Sequence, residues 1–582
     1  MQIQNYFIKN SDANPLKSGS SAEKIPKIRN GKEYSTLRGT ERFRTESSAG
    51  FVWNHVPWKG GTMYSSVLSA TISGVEGVPV LVEADVSNGL PVFSMVGYLS
   101  SRVREAQERV WTALRNTGLS FPPKRITVNL SPADIRKEGT RFDLPIAAAL
   151  LGAFGYLQTD KLRGVCMAGE LGLNGQIKSV RGILPIVDTA VRNGCRFCII
   201  PAANLSETRE FTGIRILGVG SLAEFMEQAK LQDWGIPEPP ALREKNGKKT
   251  GEEAGRQEEE EGYQEDFADV FGQEAAKRAA VIAAAGFHNI LFIGTKGAGK
   301  TMIASRLPSI FPPLDEEERM ELSRIYSVAG LLGKQRAMIR TRPFRNPHHT
   351  ATAKALAGGG AYPLPGEITL AHKGILFLDE LPEFSRTALE ILRQPLEQGK
   401  ICISRVHGNY EFPADFLLAA AMNPCPCGYY PDRNRCSCTR HQVETYLGKI
   451  SGPLLDRFDI CTEMREVPGE KIRKGRSGKT SEEIRREVGQ VHEIQKERYK
   501  GTKIRFNGRL SGKETEKYCV MEKEAERLLA KAYAKLGLSV RGYHKILKTS
   551  RTIADLDRSE KILENHVGEA VCYRALDKKY WK

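Results

Sequence analysis

The feature that most constrains the fold of this chain is a glycine-rich octapeptide, Gly294-Thr295-Lys296-Gly297-Ala298-Gly299-Lys300-Thr301. It directly follows the strand-like apolar run NILFI and precedes the helix-compatible run MIASRL. This is the context that a phosphate loop needs, because its glycines let the backbone wrap a phosphate while successive amides and a helix N-terminus point at it. The pattern predicts that Lys300 reaches the terminal phosphates of ATP and that the Thr301 hydroxyl holds Mg²⁺; the alternative is a glycine-rich turn without a ligand.

A second motif is the apolar run GILFL, which ends in Asp379 and Glu380. Carboxylates at the carboxyl edge of a parallel sheet lie near the phosphate-binding turn of an α/β fold. We expect Asp379 to bind Mg²⁺ through water and Glu380 to orient or deprotonate the attacking water. Such an acidic pair is more often structural when it stands alone, but behind a phosphate loop it predicts hydrolysis of ATP.

Two further polar residues follow apolar runs downstream. The run FLLAAAM ends in Asn423, whose amide could position water beside the γ-phosphate or could simply begin a turn before Pro424. Arg457 lies in a polar break of SGPLLDRFD, residues 451–459. A guanidinium at this place could cross a subunit boundary and stabilise charge on a neighbour's phosphoryl group, which requires a ring or at least a dimer.

The 582 residues are too many for one ordinary core and suggest several domains. Changes in texture along the chain predict an unstructured extension over 1–62, an α/β domain over 63–235, a charged linker over 236–264, a second α/β domain over 265–468 and a helical segment over 469–582. The formal net charge is +17, and residues 470–582 hold 29 Lys and Arg against 17 Asp and Glu. A basic chain favours a polyanionic partner, with nucleic acid as the leading candidate.

Eleven cysteines, an odd number in so long a chain, indicate reduced thiols of the cytoplasm. No apolar run is long enough to span a bilayer and no secretory signal is visible, so we expect a cytoplasmic protein with no membrane partner. Four of the cysteines form two CxC pairs: Cys425 with Cys427, and Cys436 with Cys438. Four thiolates could close a tetrahedral, structural Zn²⁺ site, and free thiols in a surface loop are the alternative.

Together these stretches resemble the AAA+ ATPases of the magnesium-chelatase-like group, specifically the bacterial YifB/ComM family. The resemblance runs from about Met63 to the C-terminus and rests on FADVFGQEAAKRAAVIAAAGFHNILFIG, RPFRNPHHTAT, PGEITLAHKGILFLDELPEF, MNPCPCG, SGPLLDRFD and LSVRGYHKILKTSRTIADL. It implies a P-loop AAA+ core with a helical C-terminal lid, in which Asn423 is the first sensor, Arg457 the arginine finger and Arg541 the second sensor. One departure is Gly294-Thr295-Lys296-Gly297, where the family usually has Gly-Pro-Pro-Gly.

The first domain resembles the Lon-protease-type α/β domain that this family carries at its N-terminus. The stretch similar to Lon's catalytic serine motif, residues 137–143, reads KEGTRFD and contains no Ser. The stretch similar to Lon's lysine motif, residues 181–185, reads RGILP and has Leu184 where Lon has its lysine. A nucleophile without an activating base cannot cleave peptides by that route, so we expect a scaffold for DNA or for ring assembly and no protease activity.

Two insertions lie in the ATPase core where this family resembles ring motors with central loops. One is GGGAYPLPGEITLAHK, residues 358–373, and the other is the hairpin-like KICISRVHGNYEFP, which holds Lys400, Arg405 and His407. Inside a pore these side chains would meet a phosphate backbone and give salt-sensitive, sequence-independent binding. An ordinary solvated hairpin is the alternative.

The resemblance implies a Mg²⁺-dependent hexameric ATPase that moves on DNA, in branch migration during recombination or in uptake of transforming DNA. Two alternatives remain open. A magnesium-chelatase-type motor that assists metal insertion would share the same ATPase core. A nucleotide-gated scaffold for a recombination protein would bind ATP without depending on turnover.

Overall fold

The computed structural model describes residues 63–236, 265–332, 338–406, 408–469 and 478–581. Residues 1–62 and 237–264, for which the sequence predicts an extension and a linker, and His407 of the hairpin lie outside the described residues. The described residues belong to one compact unit. No helix in the described ranges combines the length and the apolar character that a membrane span requires.

The first domain is built on a seven-stranded sheet with the order β3-β4-β2-β1-β5-β8-β9. Its strands and a small β6–β7 ladder are β1 Met63–Ser73, β2 Glu76–Ser87, β3 Val92–Val96, β4 Arg125–Ser131, β5 Val165–Met167, β6 Glu170–Leu171, β7 Ile177–Lys178, β8 Phe197–Pro201 and β9 Arg215–Val219. β1 and β2 pair antiparallel along their whole length, as their alternating apolar residues predict. The remaining half, from β5 to β9, is parallel.

Helices cover both faces of this sheet. They are Ser101–Arg104, Ala106–Asn116, Asp143–Ala153, Thr159–Leu162, Ile183–Arg192 and Leu222–Lys230. Every residue of Asp143–Ala153 is buried, which explains why this apolar run shows no amphipathic period. The fold is thus a mixed α/β layer structure, as expected.

The second domain contains a five-stranded, all-parallel sheet with the order β11-β14-β17-β10-β18. The strands of this domain are β10 Ile290–Gly294, β11 Phe344–Arg345, β12 Gly358–Gly359, β13 Leu364–Pro365, β14 Ile375–Leu378, β15 Lys400–Arg405, β16 Gly408–Pro413, β17 Leu417–Met422 and β18 Ile460–Met464. β10, β14 and β17 are fully buried, because helices cover both faces of a parallel sheet. The carboxyl ends of these three strands therefore meet at one edge.

The helices of the second domain are Glu274–Gly286, Lys300–Arg306, Glu316–Ala329, Ala353–Ala357, Glu367–Leu370, Arg386–Glu390, Arg393–Gln398, Arg440–Leu447 and Gly452–Leu455. Both predicted insertions project from the sheet as separate ladders, β12–β13 and β15–β16. The hairpin β15–β16 is confirmed, with Lys400 opposite Pro413 and Arg405 opposite Gly408. The insertion 358–373 differs from a plain loop because its second half forms the helix Glu367–Leu370.

The C-terminal segment is helical, as the sequence predicts. Its helices are Ser481–Arg498, Gly512–Tyr518, Lys523–Leu536, Val540–Leu556 and Glu564–Tyr580. Thr480 caps the first of them in a capping box with Glu483. Apolar residues of these helices join those of Glu274–Gly286 and β10 in one continuous core, so this lid is packed firmly onto the ATPase core.

The first domain contacts the ATPase core through the helix Glu316–Ala329. The Gly182 amide donates to the Ser327 carbonyl oxygen at 2.9 Å, and the Ser327 hydroxyl donates to Glu207 at 2.8 Å. Gly182 has a φ of 75°, and a Cβ there would lie 2.0 Å from the Ile72 side chain. Only glycine fits this close approach.

Candidate nucleotide-binding site

The glycine-rich loop leaves the end of β10 and enters the helix Lys300–Arg306. Gly297 and Gly299 have φ values of 76° and 87°, in the left-handed region that glycine tolerates best. A Cβ at Gly294 would lie 2.3 Å from the carbonyl oxygen of Met464 on β18. These three glycines are therefore required by the path of the loop and by the packing of the sheet.

Lys300 is buried at the centre of the loop. Its Nζ donates to the carbonyl oxygens of Gly294 and Thr295, both at 2.8 Å, and to Asn423 Oδ1 at 3.0 Å. Burial lowers the pKa of Lys300 to about 8, although the Asp379 and Glu380 carboxylates oppose this shift. The acceptors of the Lys300 ammonium are neutral oxygens, and a bound polyphosphate would supply an anionic partner.

Asp379 and Asn423 stand at the ends of β14 and β17, beside the loop at the end of β10. The Thr301 hydroxyl donates to Asp379 Oδ2 at 2.7 Å. Hydroxyl and carboxylate oxygens are ligands suited to Mg²⁺. The structure thus brings Lys300, Thr301, Asp379 and Asn423 together, as the motif spacing predicts.

Glu380 follows Asp379 at a φ of 51°, an uncommon value for a residue with a side chain. Its side chain is 57% exposed, and Glu380 Oε2 lies 3.3 Å from His349 Nδ1. His349 belongs to the motif RPFRNPHHTAT, for which we expect packing or hydrogen bonding in preference to metal binding. Sequence reasoning missed this pairing, because nothing in the motif states which carboxylate the imidazole meets.

The back of the phosphate loop is held by Gln273, another residue that motif reasoning missed. Its side-chain amide donates to the Ala298 carbonyl oxygen at 2.9 Å and to the Arg465 carbonyl oxygen at 2.6 Å. Lys296 is exposed, while the Thr295 hydroxyl is buried without a hydrogen-bond partner among the described residues. A buried orphan hydroxyl next to a buried ammonium fits a loop that closes around a phosphate.

Arg457 and Arg541 converge on a different carboxylate, Glu397. Arg457 is in direct contact with Glu397, and its side chain is only 11% exposed. Arg541, 62% exposed, has Nη2 3.8 Å from the same Glu397 oxygen. Within the described ranges, no hydrogen bond or ion pair joins either arginine to the phosphate loop of its own chain.

The four cysteines of the two CxC pairs form a compact cluster directly after Asn423. Their sulfur atoms all lie within 4.8 Å of one another, and three of the separations are 3.3, 3.5 and 3.8 Å. Backbone amides of Gly428 and Tyr430 donate to Cys425 Sγ at 3.2 and 3.4 Å. The donor set and its amide support fit a metal held by thiolates.

The basic candidates of the hairpin differ in their surroundings. Lys400 Nζ lies 2.8 Å from Glu411 across the hairpin, so a carboxylate already offsets its charge. Arg405 is exposed, and its Nε donates to the Gly360 carbonyl oxygen of the other insertion at 3.3 Å. Val406, at the tip, is 97% exposed. The structure therefore places the two insertions in contact.

In the first domain, the residues at the positions that resemble the Lon motifs make structural contacts. The Thr140 hydroxyl contacts the Glu170 carboxylate. Leu184 is fully buried, and its amide donates to the Ser327 hydroxyl at 3.3 Å, at the contact with the ATPase core. Neither position brings a nucleophile and a base together.

Comparison with known families agrees with this architecture. The family profile described as magnesium chelatase, subunit ChlI, matches residues 266–472, and two further ChlI profiles match residues 82–204 and 478–574. The chain is 42% identical over 515 residues to YifB of Salmonella typhimurium, covering 87% of this chain and 96% of the relative. It is 43% identical over 520 residues to competence protein ComM of Haemophilus influenzae, covering 88% and 97%.

A third similarity is partial. Lon protease 2 of Bacillus subtilis is 29% identical over 129 residues, which cover 22% of this chain and 23% of the relative. The matched families, the parallel sheet with its phosphate loop and the helical lid together define a P-loop AAA+ core preceded by a Lon-like α/β domain. The chain belongs to the YifB/ComM family of magnesium-chelatase-like AAA+ ATPases.

Proposed function

We propose that this protein is a Mg²⁺-dependent ring motor that hydrolyses ATP and moves on DNA, in branch migration during recombination or natural transformation. The observation that carries the ATPase part is the convergence of Lys300, Thr301, Asp379 and Asn423 at the ends of three adjacent parallel strands. A relative named competence protein ComM supports the assignment to DNA.

In this proposal Lys300 exchanges its carbonyl partners for the terminal phosphates of ATP. Thr301 and Asp379 hold Mg²⁺, which neutralises charge on the phosphates when it is bound. Asn423 shares its side-chain oxygen with Lys300, so its amide nitrogen stays available to orient water. Glu380 takes the proton of that water, and His349, 3.3 Å away, steadies the Glu380 carboxylate.

Arg457 would complete the pocket of a neighbouring subunit. Its guanidinium faces Glu397 and not its own phosphate loop, which suits a residue that acts in trans. A head-to-tail interface repeated around an axis closes a ring, and the family resemblance favours six subunits. Arg541 shares the same carboxylate and would face the same neighbour.

The two insertions would contact DNA. Arg405 bridges them, and Lys400 becomes available to a phosphate only when its pairing with Glu411 opens. The chain carries a formal net charge of +17, which favours a polyanion and salt-sensitive binding.

The test is ATP turnover measured against a panel of single-stranded, duplex and four-way DNA, with DNA retention measured at low salt. Stimulation of turnover by DNA supports the motor. A Glu380→Gln variant that binds ATP and DNA but neither hydrolyses nor moves supports the same mechanism. No stimulation and no retention would refute the DNA motor, and a Glu380→Gln variant that keeps full cellular function would favour the scaffold alternative.

We also infer that Cys425, Cys427, Cys436 and Cys438 bind structural Zn²⁺. Sulfurs about 2.3 Å from a tetrahedral zinc lie about 3.8 Å apart, close to the separations of 3.3–3.8 Å between three of these thiols. Four thiolates leave no open position for chemistry, so the role is structural. Metal analysis of the purified protein should find about one zinc per chain, lost in Cys427→Ser but retained in the control Cys572→Ser, whose thiol is exposed and outside the cluster.

A further inference from the structure

A group of arginines and tyrosines lies where the first domain meets the two insertions. We call it the arginine–tyrosine cluster, and its members are Tyr98, Arg102, Arg136, Glu138, Arg141, Tyr362 and Tyr410. The first domain supplies the arginines, the glutamate and Tyr98. The insertion 358–373 supplies Tyr362, and β16 supplies Tyr410.

Two arginines of the cluster, Arg102 and Arg136, lie over tyrosine rings. Arg136 lies 5.8 Å from the ring centres of both Tyr98 and Tyr362, and Arg102 lies 5.8 Å from the ring centre of Tyr362. Two backbone hydrogen bonds join the segments that carry these residues: the Ser100 amide donates to the Lys137 carbonyl oxygen at 3.1 Å, and the Lys137 amide donates to the Tyr98 carbonyl oxygen at 2.9 Å. The backbone that carries Tyr98 and Arg136 is therefore fixed by these bonds.

The charges of the cluster are not balanced. Glu138 is its carboxylate, and Glu138 Oε1 lies 3.1 Å from Arg136 Nε. Arg141 Nε and Nη1 are buried and have no hydrogen-bond partner among the described residues. Burial lowers the pKa of Arg141 to about 10, with Glu138 as its opposing charge. Buried guanidinium donors without an acceptor are costly, and three arginines against one carboxylate favour an anion as a further partner at this place.

Two neighbouring features connect the cluster to the hairpin. Arg405 of β15 donates to Gly360, two residues before Tyr362. A Cβ at Gly74, in the turn between β1 and β2, would lie 2.4 Å from the Glu411 carbonyl oxygen next to Tyr410. The hairpin thus packs against the first domain, and Arg405 lies beside the insertion that carries Tyr362.

Phosphates that accept from arginines, beside rings on which bases can stack, are the recognition chemistry of single-stranded nucleic acid. We propose that the arginine–tyrosine cluster binds one strand of DNA, with Arg102 and Arg136 on the phosphodiester backbone and Tyr98 and Tyr362 as stacking surfaces. The inference rests on the proposed DNA motor and gives the Lon-like domain a direct part in its track.

The test uses the full-length protein and a fluorescent oligothymidine, with anisotropy measured over a range of salt concentrations. Arg102 is exposed, so Arg102→Gln should fold, and Arg104→Gln on the same short helix removes the same charge outside the cluster. We expect Arg102→Gln to weaken binding about fivefold and to reduce the slope of log K against log salt by about 0.7, as loss of one single-strand phosphate contact does. Tyr362→Ala should weaken binding about tenfold, whereas Arg104→Gln should stay near wild type.

A second measurement does not depend on how well a variant folds. Ultraviolet crosslinking of bromodeoxyuridine oligonucleotide to the wild-type protein, followed by peptide mapping, should place crosslinks at Tyr98 or Tyr362. Crosslinks confined to other segments, or equal losses in Arg102→Gln and Arg104→Gln, would overturn the inference while leaving the motor intact. Wild-type protein that binds no oligonucleotide would instead refute the DNA motor itself. If inorganic phosphate raises the melting temperature of wild type but not of Arg102→Gln, and oligonucleotide binding is unaffected by the variant, the occupant is a free phosphate and the strand assignment is wrong.

Discussion

Replacement of Arg457 by alanine should abolish ATP turnover without unfolding the protein. The partner left behind, Glu397, is 48% exposed, so water can replace the guanidinium. We therefore expect a loss of unfolding free energy of about 1 kcal/mol or less. An arginine finger contributes about a thousandfold or more to kcat, equivalent to at least about 4 kcal/mol of transition-state stabilisation. Arg457→Ala should therefore lose far more transition-state stabilisation than unfolding free energy.

The assay mixes two inactive proteins. Arg457→Ala keeps the phosphate loop, and Lys300→Ala keeps the arginine. If each pocket takes one half from each of two adjacent protomers, random mixing at equal amounts should restore active pockets to about one quarter of those in the wild type. Arg440→Ala is the control, because Arg440 is 87% exposed and pairs only locally with Glu444.

Two results would refute the shared pocket. One is full turnover by Arg457→Ala alone. The other is the absence of any recovery on mixing, when size-exclusion chromatography shows that the two variants assemble together. Wild-type protein that stays monomeric with ATP and DNA would refute the ring in the same way.

Three further predictions address other parts of the molecule. Glu397→Gln removes the charge that holds Arg457. Because a partly exposed ion pair of about 0.7 kcal/mol is lost, we expect ATP turnover at low protein concentration to rise about threefold. A decrease in turnover would instead show that Glu397 positions the arginine productively. Chelation of zinc, or Cys427→Ser, should weaken ATP binding at least about threefold, because the cysteine cluster follows Asn423 in the chain. Binding is measured with a fluorescent nucleotide, and unchanged affinity after complete metal loss would contradict this prediction. Burial acts to raise the pKa of Asp415, but Arg509, Lys373 and His372 hold it below its usual value. The contribution of Asp415 to stability is therefore present above about pH 4 and is lost as the pH falls through the lowered pKa. Asp415→Asn should cost about 2 kcal/mol at pH 7 and make the midpoint of urea unfolding less dependent on pH in acid, and an unchanged midpoint at pH 7 would contradict this prediction.

The local chemistry of the nucleotide site could be predicted from the sequence, because each motif sits at the end of an apolar strand. Parallel strands place their carboxyl ends at one edge, and this rule brings Asp379 and Asn423 to Lys300. The glycines of the loop were equally predictable, since their left-handed conformations follow from the motif. The alternating apolar residues of β1 and β2 likewise predict these two strands, and the hairpin β15–β16 is expected from its place as an insertion in the ATPase core.

Partners that are distant in sequence could not be predicted in this way. Glu397 lies on a short helix with no motif, and only the packing of the lid brings Arg541 to it. His349 and Gln273 likewise reach the site from segments whose patterns do not specify a partner. Arg141 reads as a surface charge in KEGTRFD, but two of its guanidinium nitrogens are buried. Periodicity describes which face is buried, but it does not say which side chains meet there.

The position of Glu397 offers a physical link between the proposed pocket and the proposed DNA track. Glu397 is on the helix Arg393–Gln398, and Gly399 alone separates that helix from Lys400, the first residue of β15. If Arg457 leaves Glu397 to meet a neighbour's phosphate, the helix loses an anchor at the point where the hairpin begins. A shift there would be carried to Arg405 and the insertion, because β15 and β16 are paired along their whole length. Hydrolysis, by removing the phosphate, would return Arg457 to Glu397 and reset the hairpin. Glu397→Gln should therefore uncouple the two processes, so that the rise in ATP turnover is accompanied by less strand displacement per ATP.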